Sequence, residues 1–526
     1  MTDARATRAG RRQWVGLAVL ALAAVVYAMD LTVLHLAVPR ISAELKPSTA
    51  QLLWIIDIYG FFVAGSLLTM GTLGDRVGRR KVLLIGAAAF SVTSVLAAFS
   101  TSPEMLITSR ALMGLAGATI GPSTLSLIFN MFREPQQRSV AIGVWISSFS
   151  VGSAIGPLLG GVLLEFFWWG SVFLLALPVM ALLLVLGPHL LPEYRDPQAR
   201  RLDLRSAGMS LASVLLVIAG LKQIAQDGPA ATPVLAIIAG LVLGTFFVRR
   251  QRSLSDPFMD FRLFQIRTFN VALATNVVAV FVVIGYFLFV AQYLQLVLGL
   301  SPVQAGLWSL PSALGFIVMS NVAPRIVHRV SPASVLGTCF VLASVGLSTL
   351  TQVGTLDGLA VIVSASVTIS LALAPVFTLT TELIVGSAPP ERAGAASGIS
   401  ETATELGGAL GIAMLGSIGM AVYRAALEGR LPAGLPAEAA QAALGTLGGA
   451  LGVARQLSDP LGVALLSVAR NGFVQGFHLA AALSAGVATV AGVVAVLALR
   501  RDPVNREVNT NEPSKPEFAI SDASAD

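Results

Sequence analysis

The sequence predicts an all-α polytopic membrane protein with fourteen transmembrane helices, on three observations. The 526 residues are 55% hydrophobic and only 12% charged, whereas soluble domains carry about 25% charged residues. Apolar stretches of about 20 residues, enough to cross a ~30 Å hydrocarbon core, recur fourteen times along the chain. Finally, 26 of the 34 Lys and Arg fall on one set of alternating connections, which is the asymmetry that orients helices in a bilayer. A soluble chain of this composition would expose more apolar surface than water tolerates. A water-soluble enzyme, a nucleic-acid binder and a disordered protein are therefore excluded.

The spans fall at 14–38, 52–72, 82–100, 105–128, 138–164, 170–191 and 204–226, then 232–250, 268–298, 303–325, 332–352, 358–384, 392–423 and 474–499. Their apolar runs are continuous rather than alternating, so they are helices and not barrel strands. The first stretch is too long for a cleaved signal peptide, and Asp30 interrupts it. With the N-terminus placed in the cytoplasm, inner segments collect Arg5, Arg8, Arg11 and Arg12, then Arg76, Arg79, Arg80 and Lys81, and later Arg249, Arg250 and Arg252. Both termini are then cytoplasmic, and the net charge of +6 is an orientation signal, with no nucleic acid implied. The expected organisation is a short tail at 1–13, a six-helix bundle at 14–191 and an inserted helix pair at 204–250. A second six-helix bundle follows at 268–499, and a polar tail at 500–526 is expected to be disordered. Residues 424–470 read as an extracellular helical hairpin with arms near 437–457 and 460–472, either a gate or a surface insertion.

Some chemistries lack their residues. Cys339 is the sole cysteine, so there is no disulfide framework or multi-cysteine metal site, and the four histidines show no ligand spacing. None of the four lysines follows a glycine, so no phosphate-binding loop of the GxxxxGK[ST] type exists. No metal or cofactor is expected.

The loop after span 2 reads Gly71-Thr72-Leu73-Gly74-Asp75-Arg76-Val77-Gly78-Arg79-Arg80-Lys81. Glycines allow a tight turn there. Asp75, among four cations, suits a contact that forms in one conformation and breaks in another, although the basic run could equally be a plain topology anchor. This string resembles the loop 2–3 signature of the major facilitator superfamily. Three further strings narrow the resemblance: Asp30-Leu31-Thr32-Val33-Leu34 with Ala37-Val38-Pro39 in span 1, Arg110 with Gly114 and Gly117 in span 4, and Gly152 through Gly161 in span 5. Together with Leu53-Trp54-Ile55-Ile56-Asp57-Ile58-Tyr59-Gly60, they are similar to the fourteen-span drug:proton antiporter branch, of the QacA, SmvA and LfrA type. Spans 1–5 match closely and spans 9–14 more loosely. The resemblance implies two six-helix halves that rock about a midplane site, export of lipophilic cations, and the proton gradient as energy source. Partners would be small organic cations, protons and the lipid bilayer, with a monomer as the default state. A pump for one specific metabolite or antibiotic is the alternative in the same fold.

The residues themselves support a cation site. Charges inside a bilayer cost several kcal/mol and mark function by default; here they are Asp30, Asp57, Arg110, Glu382, Glu401 and Glu405. Asp30 and Arg110 both fall in the outer half of the membrane and are expected to pair for proton coupling. Glu401 and Glu405 are i,i+4 on one helix face, about 20 Å into span 13 for Glu405, and are expected to share protons as a coupled pair. Asp57, Glu401, Glu405 and Glu382 are the candidate pocket acids, Glu382 nearest the cytoplasmic mouth. Trp54, Tyr59, Phe149 and Tyr286 could stack on a flat cation, although each aromatic taken alone could as well face lipid. Gating candidates are Gly71, Asp75, Arg76, Gly78, Arg79 and Arg80, together with Gly152, Gly156, Pro157, Gly160 and Gly161. Gly152, Gly156 and Gly160 recur every four residues and give a flat face for close helix approach, and Pro157 removes a helix hydrogen bond. That face is either ordinary packing or a tight hinge. Span 10 (303–325) contains no acid, unlike related pumps for divalent cations, so monovalent cargo is expected. The second-half counterpart of the loop 2–3 string, Pro324 to Arg329, lacks the acid.

Overall fold

The computed structural model describes residues 8–500 except 48, 196–202, 228–229, 255–256, 258–260, 328–329, 390–391, 433–434 and 458. The tail at 501–526, expected to be disordered, lies outside the described residues. Helices α1 (Arg11–Leu45), α2 (Thr49–Val77), α3 (Arg79–Ala98), α4 (Pro103–Gly117), α5 (Ile120–Met131), α6 (Pro135–Phe166), α7 (Ser171–Leu174) and α8 (Ala176–Leu190) build the first half. The inserted pair is α9 (Leu204–Asp227) and α10 (Ala231–Ser253). The second half is α11 (Arg267–Gln292), α12 (Pro302–Val327), α13 (Pro332–Thr349), α14 (Leu359–Gly386), α15 (Ala393–Leu427), α16 (Ala437–Gly445), α17 (Leu447–Ala454) and α18 (Asp459–Arg500). Fourteen spans are long and apolar enough to cross a membrane, the number the sequence predicts.

Two spans are broken in ways not anticipated from the sequence. Span 4 divides into α4 and α5 at Ala118–Thr119, and span 6 into α7 and α8 at Leu175. Each break lies three or four residues before a proline, Pro122 or Pro178. A proline lacks the N–H that would close the preceding turn. By contrast α6 runs unbroken through Pro157.

Each half has its own hydrophobic core. The first gathers Leu20, Tyr27, Tyr59, Phe90, Phe132 and Phe173; the second gathers Tyr293, Phe340, Leu347, Ile369 and Phe477. A smaller cluster of Phe61, Ala64, Ile218 and Ala409 joins α2, α9 and α15. The inserted helix α9 thus lies along the seam between the halves. Its partner α10 is tied to it through Asp203, which accepts hydrogen bonds from Ser206 and Arg250, each at 2.8 Å. Burial opposes ionisation of Asp203, but these bonds hold its carboxyl below the usual carboxylate range.

The end of the molecule where α1 begins and α18 finishes is rich in arginine. There the two halves approach backbone to backbone. A Cβ on Gly71 of α2 would stand 2.3 Å from the Gly394 carbonyl of α15, and one on Gly143 of α6 would stand 2.4 Å from the Ser320 carbonyl of α12. Only glycine permits such contact. Among the described residues, the polar bonds joining the halves cluster toward this end. Asn321 donates to Ser147 at 2.8 Å, Ser139 to Glu382 at 2.5 Å, and the Gly394 and Ala395 amides to Asp75 at 3.0 and 2.8 Å.

At the opposite end the expected hairpin needs correction. Its first arm is two short helices, α16 and α17, and its second arm does not exist as a separate element. Residues 459–500 form one continuous helix of 42 residues, about 63 Å long, so the last span starts well before residue 474 and projects beyond the hydrocarbon. Asp459-Pro460 falls at the first helical turn, where proline is tolerated because its missing N–H would be unpaired anyway.

Gly71→Val should force α2 and α15 apart. Overpacking of this kind costs about 1–3 kcal/mol, so the thermal midpoint of the detergent-purified variant is expected to fall by several degrees. An unchanged midpoint would contradict the close approach.

Candidate functional site

The first element of the site is a buried ion pair in the first half. Arg110 Nη1 donates to Asp30 Oδ2 at 2.9 Å, with side chains only 2% and 7% exposed. The guanidinium also donates to the Ile55 and Ile56 carbonyls at 3.2 and 3.4 Å. Its carbon lies 4.9 Å from the Tyr59 ring centroid and 5.8 Å from that of Phe173. Gly114 makes this possible: a Cβ there would meet the Tyr59 carbonyl at 2.4 Å, so α4 can press Arg110 onto α2 only without one. On the other flank, Gly152 and Gly156 of α6 face Val25, Ala28, Met29 and Thr32 of α1. The small-residue face of span 5 therefore grips the stretch of α1 that bears Asp30. Gly161 meets nothing within 4 Å, and the side chain of Pro157 is outside the described residues.

Tyr27 and Tyr59 form the second element. Their rings lie 6.5 Å apart, and Tyr27 also meets Phe149 edge-on at 5.9 Å, with Trp145 beyond at 4.8 Å. The Tyr59 hydroxyl is buried with no hydrogen-bond partner among the described residues. Tyr59 thus lies against Arg110 of the ion pair, and Tyr27 of α1 lies against Tyr59. Tyr27 was not singled out from the sequence, although it lies three residues before Asp30 on the same helix face.

Glu401 and Glu405 on α15 form the third element. Both are half-buried, and each acts on its surroundings without a Lys or Arg within salt-bridge distance among the described residues. Glu401 reaches the first half, since a Cβ on Gly121 of α5 would sit 3.6 Å from its carboxylate oxygen. Asp57, in contrast, is occupied. Lys222 of α9 donates to its Oδ1 at 2.6 Å and lies 4.7 Å from the Phe61 ring. Trp54 packs edge-on against Phe61 at 6.0 Å and is half exposed. The structure thus brings a lysine of the inserted pair to one of the predicted acids.

The remaining candidates separate from this centre. Tyr286 is in the second half, buried against Phe287 with ring centroids 4.9 Å apart. Glu382 sits at the Arg-rich end, with Arg138 Nε at 3.9 Å and Ser139 bonded to it. Asp75 does more than expected. It holds Arg79 at 2.8 Å and also caps the first amides of α15, where the helix dipole favours an anion. Arg79 is fully buried and lies over Tyr194 at 5.2 Å, while Arg76 is half-buried in the last turn of α2. Gly78 takes φ +123°, and Arg80 donates to the Pro188 and Leu191 carbonyls. Near this end, a cleft of about 680 Å³ opens beside Trp14, Gln137 and Arg325. No group of three or more His, Cys, Asp or Glu able to hold a metal occurs among the described residues.

Removing one partner of a buried pair leaves an uncompensated charge, at a cost of about 3–5 kcal/mol. Arg110→Met should therefore lower thermal stability sharply, and adding Asp30→Asn should restore much of the loss. A double variant no more stable than Arg110→Met would deny the coupling.

Known proteins resemble this chain in sequence and fold. The Major Facilitator Superfamily profile matches residues 20–412. The multidrug efflux pump LfrA of Mycolicibacterium smegmatis is 42% identical, covering 94% of this chain and 98% of that protein. The methyl viologen resistance protein SmvA of Salmonella typhimurium is 36% identical, covering 90% and 96%. Among solved structures, the human organic anion transporter MFSD10 aligns with a TM-score of 0.56 at 17% identity, covering 91% of this chain and 99% of that one; at that identity the likeness concerns the fold alone. The chain belongs to the Major Facilitator Superfamily, within its drug-efflux branch.

Proposed function

We propose that this protein is a multidrug efflux antiporter that exchanges lipophilic, mainly monovalent organic cations for protons across the cytoplasmic membrane. The observation that carries the reading is the pair of carboxylates, Glu401 and Glu405, with no Lys or Arg within salt-bridge distance among the described residues and with Glu401 reaching Gly121 of the first half, which also carries the ring cluster of Tyr27, Tyr59, Phe149 and Trp145. A carboxylate in that position accepts either a proton or an organic cation, and aromatic faces add cation–π attraction. Competition between the two occupants couples their fluxes. Relatives whose names describe multidrug efflux and resistance to methyl viologen, a dication, support organic cations as the cargo class, and the monovalent preference rests on this chain's own residues.

Asp30 and Arg110 are assigned to proton coupling. A proton on Asp30 cancels the attraction that holds Arg110 at 2.9 Å. It thereby loosens α1 from α4 along the face gripped by α6. The excess of Lys and Arg on one set of connections supports placing the Arg-rich end, and both termini, in the cytoplasm. The contacts of Asp75 with α15 and of Glu382 with α6 then close the cytoplasmic side, and rocking the halves to open that side must break them. Gly71, Gly143 and Gly394 set how tightly it shuts. The absence of any acid in 303–325 supports a monovalent preference. No cofactor enters the cycle.

In everted vesicles energised by respiration, a monovalent quaternary ammonium dye should release protons from the lumen, and Asp30→Asn should weaken that release at least about tenfold, a loss of roughly 1.4 kcal/mol in coupling. Efflux that persists with the pH gradient collapsed and ATP present would refute antiport. For the pocket, Glu405→Gln is expected to weaken tetraphenylphosphonium binding to the purified protein; unchanged affinity would remove that residue from the site.

A further inference from the structure

We propose that Lys222 is a tethered counter-cation that sets the charge class of the cargo, holding the site to monovalent organic cations by filling the subsite formed by Asp57 and Phe61. The proposal rests on the cation-efflux reading above and assigns a role to the inserted helix pair.

Among the described residues, four acids that lie within helices have basic partners: Asp30 with Arg110, Asp75 with Arg79, Glu382 with Arg138 and Asp57 with Lys222. The last differs from the other three in chemistry. Its base is a primary ammonium on a flexible stem, whereas the other three are planar guanidiniums. It also differs in origin, because Lys222 comes from α9, which belongs to neither six-helix half. And it is the more accessible of the two pairs on the outer stretches of α1 and α2: its side chains are 27% and 21% exposed, against 2% and 7% for Arg110 and Asp30.

The surroundings of the Lys222 ammonium are those of an organic-cation subsite. A carboxylate oxygen stands at 2.6 Å and an aromatic face at 4.7 Å, with Trp54 edge-on behind that ring at 6.0 Å. A quaternary ammonium group would seek the same carboxylate and ring. The groups around it are Asp57 and Phe61 of α2 and, through the shared apolar cluster, Leu406 and Ala409 of α15. Leu406 directly follows Glu405, so the ammonium sits at the margin of the Glu401–Glu405 pair and keeps one nearby negative charge satisfied internally. A monovalent cargo can use the glutamates without disturbing it. A dication needs a second anionic anchor, and the adjacent one is already taken.

The test compares two probes on the purified full chain, monovalent tetraphenylphosphonium and a bis-quaternary ammonium such as decamethonium. In Lys222→Met, the ratio of divalent to monovalent affinity should rise about tenfold, equal to 1.4 kcal/mol. Lys222→Arg should keep the wild-type ratio, and Lys222→Met combined with Asp57→Asn should return to it. If Lys222→Met does not purify as a folded species, Lys222→Gln supplies the same charge removal with a polar end. An unchanged ratio in the charge-removing variant would overturn the proposal, as would a shifted ratio that survives Asp57→Asn. Failure of the parent reading looks different: the wild type would then bind neither probe.

Discussion

A charge held in hydrocarbon must find a partner, and this constraint organises the molecule. Arg110 serves as the example. Its guanidinium is almost wholly buried, and each of its three nitrogens donates, to Asp30 or to one of two carbonyls of α2. To bring those groups together, α4 must press on α2 at Gly114 and α1 must lie against α6 at Gly152 and Gly156. The packing of the first half therefore follows from satisfying one cation. The same rule places Arg79 against Asp75 and the amides of α15, which joins the two halves. Read across the whole chain, it leaves Glu401 and Glu405 as acids without a basic partner among the described residues. Unpaired acids in such a medium are costly to keep ionised, so they invite a mobile positive species.

Contacts between the halves have an uneven character. At the Arg-rich end they are backbone to backbone at glycines, with hydrogen bonds that a small rotation would break. Toward the middle, the Glu401 carboxylate of α15 stands on Gly121 of α5. Along the flank, α9 fills the seam with aliphatic side chains and ends in one ammonium. Rocking motion thus has a tight closure at one end, a chemically reactive middle and a greased edge. The inserted pair is well placed to follow that motion because it packs on α2 and α15 together.

Much of this was legible in the sequence because its signals are local. Span number follows from hydropathy, and the pairing of Asp30 with Arg110 follows from two charges at similar depth. The glycine faces follow from a four-residue recurrence, although which helix they meet does not. What escaped is what depends on tertiary placement or on helix continuity. Lys222 lies near a span end, where a lysine normally snorkels to water, and nothing in its neighbours announces Asp57, 165 positions earlier. The partner of Asp75 was sought nearby, and Arg79 is indeed four residues on, but the other half of its bonding lies 319 and 320 positions away. The stretch 460–472 reads as a separate arm because Asp459-Pro460 resembles a break, whereas proline in a first turn is compatible with a helix that continues to Arg500. Tyr27 was missed because a tyrosine in an apolar span carries no charge signal.

The central claim is that a proton and an organic cation compete for the same two carboxylates. Calorimetry of tetraphenylphosphonium binding in buffers of different ionisation enthalpy measures this directly, because protons displaced on binding are taken up by the buffer. The wild-type protein should release protons on binding, and the Glu401→Gln/Glu405→Gln variant should release none. Binding that releases no protons in the wild type, or equal release in the variant, would contradict the account.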